Sequence, residues 1–287
     1  MKATHPSTVT QLKYPEFWLL GIGAGLIAIQ LTLIWRSNNS NLLGMSFLFW
    51  TAVSSLIWEK RHKLNLESGI FSSFFGLSLI WLALLKSASL TSFGIFLYIL
   101  PFIFALGFFL LASGFQGLKQ YKGELLVLFF LSSSKVLSSW LTSTSTLTAK
   151  FGAFILWYTG FEVSLTGDKI ILPTGAVEVY SGCSGIELIF QLLGIGLLFI
   201  LMFPQNWKHQ TLVLIVAATL GFIVNGIRVA LMAILVAKSQ QEAFKYWHEG
   251  DGSLIFSLIA VLLFGLFCWF LLGQSQSQHQ DPRSSSR

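Results

Sequence analysis

Long apolar runs separated by short polar connections set the pattern of this chain over most of its length. A helix needs about 20 mostly apolar residues to cross a bilayer. Eight runs approach that length: 17–35, 42–58, 69–86, 93–112, 123–141, 184–203, 211–237 and 253–272. The fifth carries the serines and the lysine of Ser132-Ser133-Ser134-Lys135, which is polar for a span and leaves its outer limit open. Residues 146–158 are too short to span. They read either as an amphipathic segment lying at the interface or as the end of the fifth helix. The expected fold is an all-α polytopic membrane protein of about eight transmembrane helices.

The period changes between residues 142 and 182. Glu162-Val163-Ser164-Leu165 and Val177-Glu178-Val179-Tyr180 alternate polar and apolar positions, as short strands do. Thr166-Gly167-Asp168-Lys169 and Pro173-Thr174-Gly175 supply turn chemistry between them. This segment predicts a small β-hairpin or three-strand cap. The chain therefore divides into an N-terminal tail (1–16), five helices (17–141), the cap (142–182), three further helices (183–272) and a polar tail (273–287). The last of these is low in complexity and is expected to be disordered.

Composition supports the membrane reading. Only 10% of residues are charged and 54% are hydrophobic, where soluble domains carry roughly 25% charged residues. The net charge is +6, but no basic stripe is interleaved with polar recognition residues, so no nucleic-acid partner is expected. The excess fits loop topology and anionic headgroups instead. The densest basic loop is Lys60-Arg61-His62-Lys63. Placing it in the cytoplasm also puts Lys2, Lys13, Lys119, Lys122, Lys208, Arg283 and Arg287 inside. Arg36, Lys86, Lys150, Lys169, Lys238 and Lys245 then lie outside, and Lys135 and Arg228 fall within spans. That bias predicts both termini in the cytoplasm and the cap outside. The first run follows Lys13 closely and lacks a small-x-small cleavage site, so it reads as an anchor and not as a removable signal peptide.

Candidate chemistry gathers at the outer ends of the last three spans. Two cysteines exclude a disulfide framework. Cys183 sits in Ser181-Gly182-Cys183-Ser184-Gly185, where a polar segment becomes an apolar run. A lone cysteine at such a place is most often a small packing residue. A thiol at a helix N-terminus, however, feels the positive end of the dipole, which favours the nucleophilic thiolate. Gly182 and Gly185 would let a substrate backbone approach, and Ser184 or Ser181 would cap the helix. Cys268 lies roughly 20 Å deeper along its own helix, which excludes a disulfide with Cys183 and leaves it a packing role.

Arg228 lies about nine residues from the outer end of its span, roughly 13 Å deep. A buried arginine costs at least about 2.5 kcal/mol on insertion scales, unless it snorkels to the headgroups. Asn225, three residues earlier, shares its face and makes a polar patch. His248 begins the last span and can titrate near neutrality, with Glu249 or Asp251 to orient it. Taken alone it would be a solvated loop histidine. Together Cys183, Arg228 and His248 supply a nucleophile, a fixed cation and a titratable base. No Cys-x-x-Cys, His-Glu-x-x-His or phosphate-loop pattern occurs, so no metal or cofactor is expected. Ser181 or Ser184 as the nucleophile of a serine hydrolase lacks the Gly-x-Ser-x-Gly context.

Three stretches, Cys183-Ser184-Gly185-Ile186-Glu187-Leu188, residues 225–233 beginning Asn225-Gly226-Ile227-Arg228, and residues 248–257 beginning His248-Glu249-Gly250-Asp251, resemble in order the Cys, Arg and His motifs of the exosortase/archaeosortase family. The last motif and the long polar cap look more like its cyanobacterial branch, the cyanoexosortases. The resemblance covers roughly residues 120–272; the earlier spans match only as generic membrane helices. It implies an integral (inner) plasma-membrane cysteine transpeptidase or protease acting on C-terminal PEP-CTERM-type sorting signals. Its partner would be a membrane-anchored protein substrate, and the acyl acceptor is left open. It further implies Cys183 as thiol nucleophile, Arg228 as stabiliser of oxyanion or thiolate, and His248 as the proton-transfer residue. The competing reading is a small transporter or flippase in which Arg228 and Asn225 line a substrate path. It gives Cys183 no task and expects polar residues along several helices, whereas the first four are almost featureless.

Overall fold

The computed structural model describes residues 15–89, 94–140, 143–248 and 252–280. Its chain separates into two compact units, residues 1–132 and 133–287.

The first unit contains α1 (Pro15–Arg36), α2 (Ser40–Lys60), α3 (Ile70–Ala88), α4 (Ile95–Gly117) and the start of α5 (Lys122–Trp140). Large apolar side chains such as Trp18, Phe74 and Trp81 are exposed on these helices, as a bilayer permits. The interior is close-packed. At Gly76 of α3 an added Cβ would stand 2.6 Å from the Gly107 carbonyl oxygen of α4, so the two helices approach at backbone contact, as small residues allow in membranes. Several of its buried polar groups are paired, although the buried Ser132 hydroxyl has no hydrogen-bond partner. Trp50 Nε1 donates to Gln30 Oε1 at 2.8 Å, and Gln30 Nε2 donates to Ser46 Oγ at 3.3 Å. Lys60 reaches Glu124 at 2.8 Å and also bonds the Gln120 carbonyl.

Among the described residues, seven stretches are long and apolar enough to cross a membrane. The difference from the eight expected runs arises at α4 and α5. Both helices are present, but Ile95–Leu137 forms one apolar stretch. It is interrupted by a kink at Gly114 (φ +67°) and a 3₁₀ turn over Leu118–Tyr121.

The second unit carries α6 (Ser143–Tyr158), a three-strand sheet, α7 (Ile186–Met202), α8 (Trp207–Ala237), α9 (Gln241–His248) and α10 (Gly252–Gln280). The 146–158 segment is thus the body of a helix of its own, α6, which buries Ala149, Ala153 and Leu156 against Val229, Ala230 and Ala233 of α8. The sheet is the expected cap. Strands β1 (Ser164–Thr166), β2 (Lys169–Leu172) and β3 (Gly175–Glu178) form an antiparallel meander in the order β1-β2-β3. Its turns fall where the sequence places them, the first on Gly167 at φ +67°. Ile170 and Leu172 point into the α6–α8 core, which fixes the sheet by burial of one face.

A second core joins α7, α8 and α10 around Leu192, Val213, Ala217 and Phe264, and Cys268 packs there. Both cysteines are free thiols. The last helix continues past Gly273, where the sequence suggests a disordered tail, as far as Gln280. An established helix extends at one hydrogen bond per residue.

Candidate active site

The sheet delivers the chain from β3 through Val179 and Tyr180 into a 3₁₀ turn, Ser181–Cys183, that precedes α7. The turn is closed by Cys183 N donating to the Tyr180 carbonyl at 2.9 Å. Neither serine caps α7. Its N-cap is Gly185, at φ +83° with no side-chain cap. Ser184 is buried, and its Oγ donates to the Ser181 carbonyl at 2.7 Å. The hydroxyl is committed to the tight turn and is directed away from the free amides of the helix.

The two glycines also differ from expectation. An added Cβ at Gly182 would stand 2.6 Å from the Tyr180 ring, and one at Gly185 would stand 2.6 Å from Asn225 Nδ2. They make room for the protein's own side chains, not for a substrate backbone. Asn225 uses that room to donate from Nδ2 to the Cys183 carbonyl at 2.9 Å. Thr148 of α6 donates to the Ser184 carbonyl at 2.8 Å. Two helices therefore hold consecutive carbonyls of the cysteine turn. Buried carbonyls need such partners, and fixing them fixes the direction of the thiol.

His248 is the last residue of α9, not the first of the final span, because Gly252 opens α10. Phe244 lies one turn earlier and stacks on the imidazole at 5.1 Å between centroids and 14° between planes. Arg228 Nη2 donates to the His248 backbone carbonyl at 2.8 Å, while its Nε is buried without a hydrogen-bond partner. Arg228 thus stabilises the C-terminal carbonyl of α9, where a cation meets the negative end of a helix. Glu249 and Asp251, suggested to orient the imidazole, lie outside the described residues.

These supports bring the thiol and the imidazole together. Cys183 Sγ is 3.2 Å from His248 Nε2, and the Tyr180 hydroxyl is 3.3 Å from the same nitrogen. Tyr180 also hydrogen-bonds the thiol. Lys135 Nζ is 3.7 Å from a carboxylate oxygen of Glu187. The pair opens on a cavity of about 400 Å³ lined by β3, Tyr180, Phe244 and the Val229, Met232 and Val236 face of α8.

Of the residues the sequence singles out, the structure gathers Cys183, Arg228 and His248 with Asn225, Ser184 and Gly185 around them. Tyr180, Phe244, Thr148 and Lys135 are additions. Tyr180 is one position from the Ser-Gly-Cys knuckle, and Phe244 is four positions from His248; both spacings are visible in the sequence. Thr148 carries no such signal. Asn225 and Arg228 donate to the backbones of Cys183 and His248, which is a different use from lining a transport path.

A family model described as transmembrane exosortase matches residues 35–265. No curated protein and no solved structure gave a match.

Proposed function

The chain belongs to the transmembrane exosortase family, and from that membership we propose a cysteine transpeptidase or protease that cleaves C-terminal, PEP-CTERM-type sorting signals at the extracytoplasmic face of the plasma (inner) membrane. The observation that carries the reading is the 3.2 Å approach of Cys183 Sγ to His248 Nε2. Nucleophile and base within hydrogen-bond reach, with the base held by further groups, is the arrangement that thiol catalysis requires.

In this reading His248 takes the thiol proton and Cys183 attacks the scissile carbonyl carbon, forming a C–S bond. The tetrahedral oxyanion collapses and the peptide C–N bond breaks. His248 Nε2 returns its proton to the departing amine. The acyl-thioester is then released to an amine acceptor or to water, whose proton passes to His248. Arg228 is a positioning and electrostatic residue: it holds the His248 carbonyl and its charge favours thiolate. The Tyr180 hydroxyl, 3.3 Å from His248 Nε2 in a residue that lines the same cavity, is the donor for the developing oxyanion. The substrate's own transmembrane helix raises its effective concentration at the site. Both termini of the enzyme lie in the cytoplasm, as the loop charges suggest.

The test is coexpression with an anchored substrate bearing a C-terminal sorting signal, comparing wild type with Cys183→Ala, Cys183→Ser and Arg228→Ala. Processing stops in Cys183→Ala, and mass spectrometry of the wild type traps an acyl group on Cys183. Processing by Cys183→Ala at the wild-type rate sinks the reading.

A further inference from the structure

The sheet order leaves the far edge of β3 unpaired among the described residues, and that edge borders the cavity. Ala176, Val177, Glu178 and Val179 all line it. Alternate residues of a strand face opposite ways, so four in succession line one space only if that space runs along the strand's edge. The register says which backbone groups are offered. Val179 N donates to the Asp168 carbonyl at 2.9 Å, in line with the pairs Val177–Ile170 and Gly175–Leu172. In an antiparallel ladder these alternate with pairs whose N–H and C=O point away from the partner. Ala176 and Glu178 are those positions, and their amides and carbonyls face outward from β2.

The geometry points to β3 as the substrate-binding strand: an extended peptide flanking the scissile bond pairs with the outer edge of Ala176 and Glu178 as a fourth strand of the cap. This rests on the thiol-protease reading above and adds where the peptide lies. Strand addition to an open edge gives main-chain affinity, with side-chain pockets giving selectivity. The edge leads directly through Tyr180 to Cys183, so a paired peptide is carried to the thiol. Val177, Met232, Val236 and Phe244 line the same space, so peptide side chains seated against them are apolar. An open edge is otherwise a liability that proteins cover or charge, and here it borders the reacting group.

Proline at an outward-facing position removes a donor without touching the β2 ladder. In the full-length enzyme, Ala176→Pro and Glu178→Pro are expected to raise KM for an anchored substrate about 3- to 10-fold each, the loss of one hydrogen bond. The alkylation rate of Cys183 by iodoacetamide stays at the wild-type value, which reports an intact site. The same contact is probed from the other side with wild-type enzyme, so that a folding defect cannot intervene. Substrate peptides N-methylated at each residue within three of the scissile bond should show alternating sensitivity, with every second methyl group harmful. Uniform tolerance of N-methylation, or wild-type KM in both proline variants, overturns strand addition. Either result leaves the catalytic reading standing if Cys183→Ala is inactive. Processing by Cys183→Ala defeats that reading instead.

Discussion

Cys183 Sγ and His248 Nε2 stand 3.2 Å apart although 65 positions separate them in the chain. Neither sits within a long helix: the thiol is on a 3₁₀ turn and the imidazole ends a helix of eight residues. Both are held through their backbones by one helix, α8, from Asn225 and Arg228. Those two side chains are three residues apart, so one helical face sets the spacing of the pair.

His248→Gln is expected to lower processing by about 10²- to 10⁴-fold, the usual contribution of a positioned acid–base group. Alkylation of Cys183 at neutral pH should slow in parallel, because the base that takes its proton is gone. Unchanged alkylation with lost processing would limit His248 to protonating the leaving amine.

Arg228→Lys keeps a positive charge and loses the guanidinium that bonds the His248 carbonyl at 2.8 Å. Lysine at such a place is not a conservative change. Processing is expected to stay well below wild type, by about tenfold or more on the scale of a charge-assisted hydrogen bond. Wild-type activity in this variant would mean that charge alone is required.

Gly185→Ala places a methyl group against Asn225 in a backbone at φ +83°. The left-handed conformation costs a residue with a Cβ about 1–2 kcal/mol, and the displaced Asn225 releases the Cys183 carbonyl. Lower thermal stability together with lost processing is expected. Asn225→Leu should reproduce the second effect without the backbone strain.

Tyr180→Phe removes a hydroxyl that contacts both the thiol and the imidazole while keeping the ring that fills the space beside Gly182. Removing one oxyanion donor costs about 10²- to 10³-fold in kcat in well-formed sites. The expected signature is a fall in kcat with KM little changed. A change in KM alone would make Tyr180 a binding residue only.

Lys60→Met leaves Glu124, with 5% of its side chain exposed, without its cation. The Lys60 side chain is partly exposed, but its loss leaves a buried carboxylate without a counter-charge, so the melting temperature in detergent should drop. The double variant Lys60→Met/Glu124→Gln should recover most of it, because no uncompensated charge remains.

Much of this protein is legible in the sequence because the responsible forces are local. Runs of apolar residues near span length must be helices in lipid, where every backbone group needs an internal partner. The change of period at Glu162 and again at Val177, with turn residues between, specifies a hairpin or three-strand cap, and the pairing of β2 between the other two strands decides for three. The order of Cys183, Arg228 and His248 along the last helices suggests that they meet. What local pattern cannot contain is how side chains meet when they lie far apart in sequence.

Local pattern along the chain specifies the membrane class and a small β cap and singles out Cys183, Arg228 and His248, since length, period and charge act within a few residues. The tertiary structure decided that Gly182 and Gly185 house Tyr180 and Asn225, that Ser184 ties a turn and caps no helix, and that His248 closes α9. It also decided that Cys183 shares one cavity with β3. These depend on α6, α7, α8 and the sheet packing around one turn, where a close-packed interior admits few arrangements of its side chains.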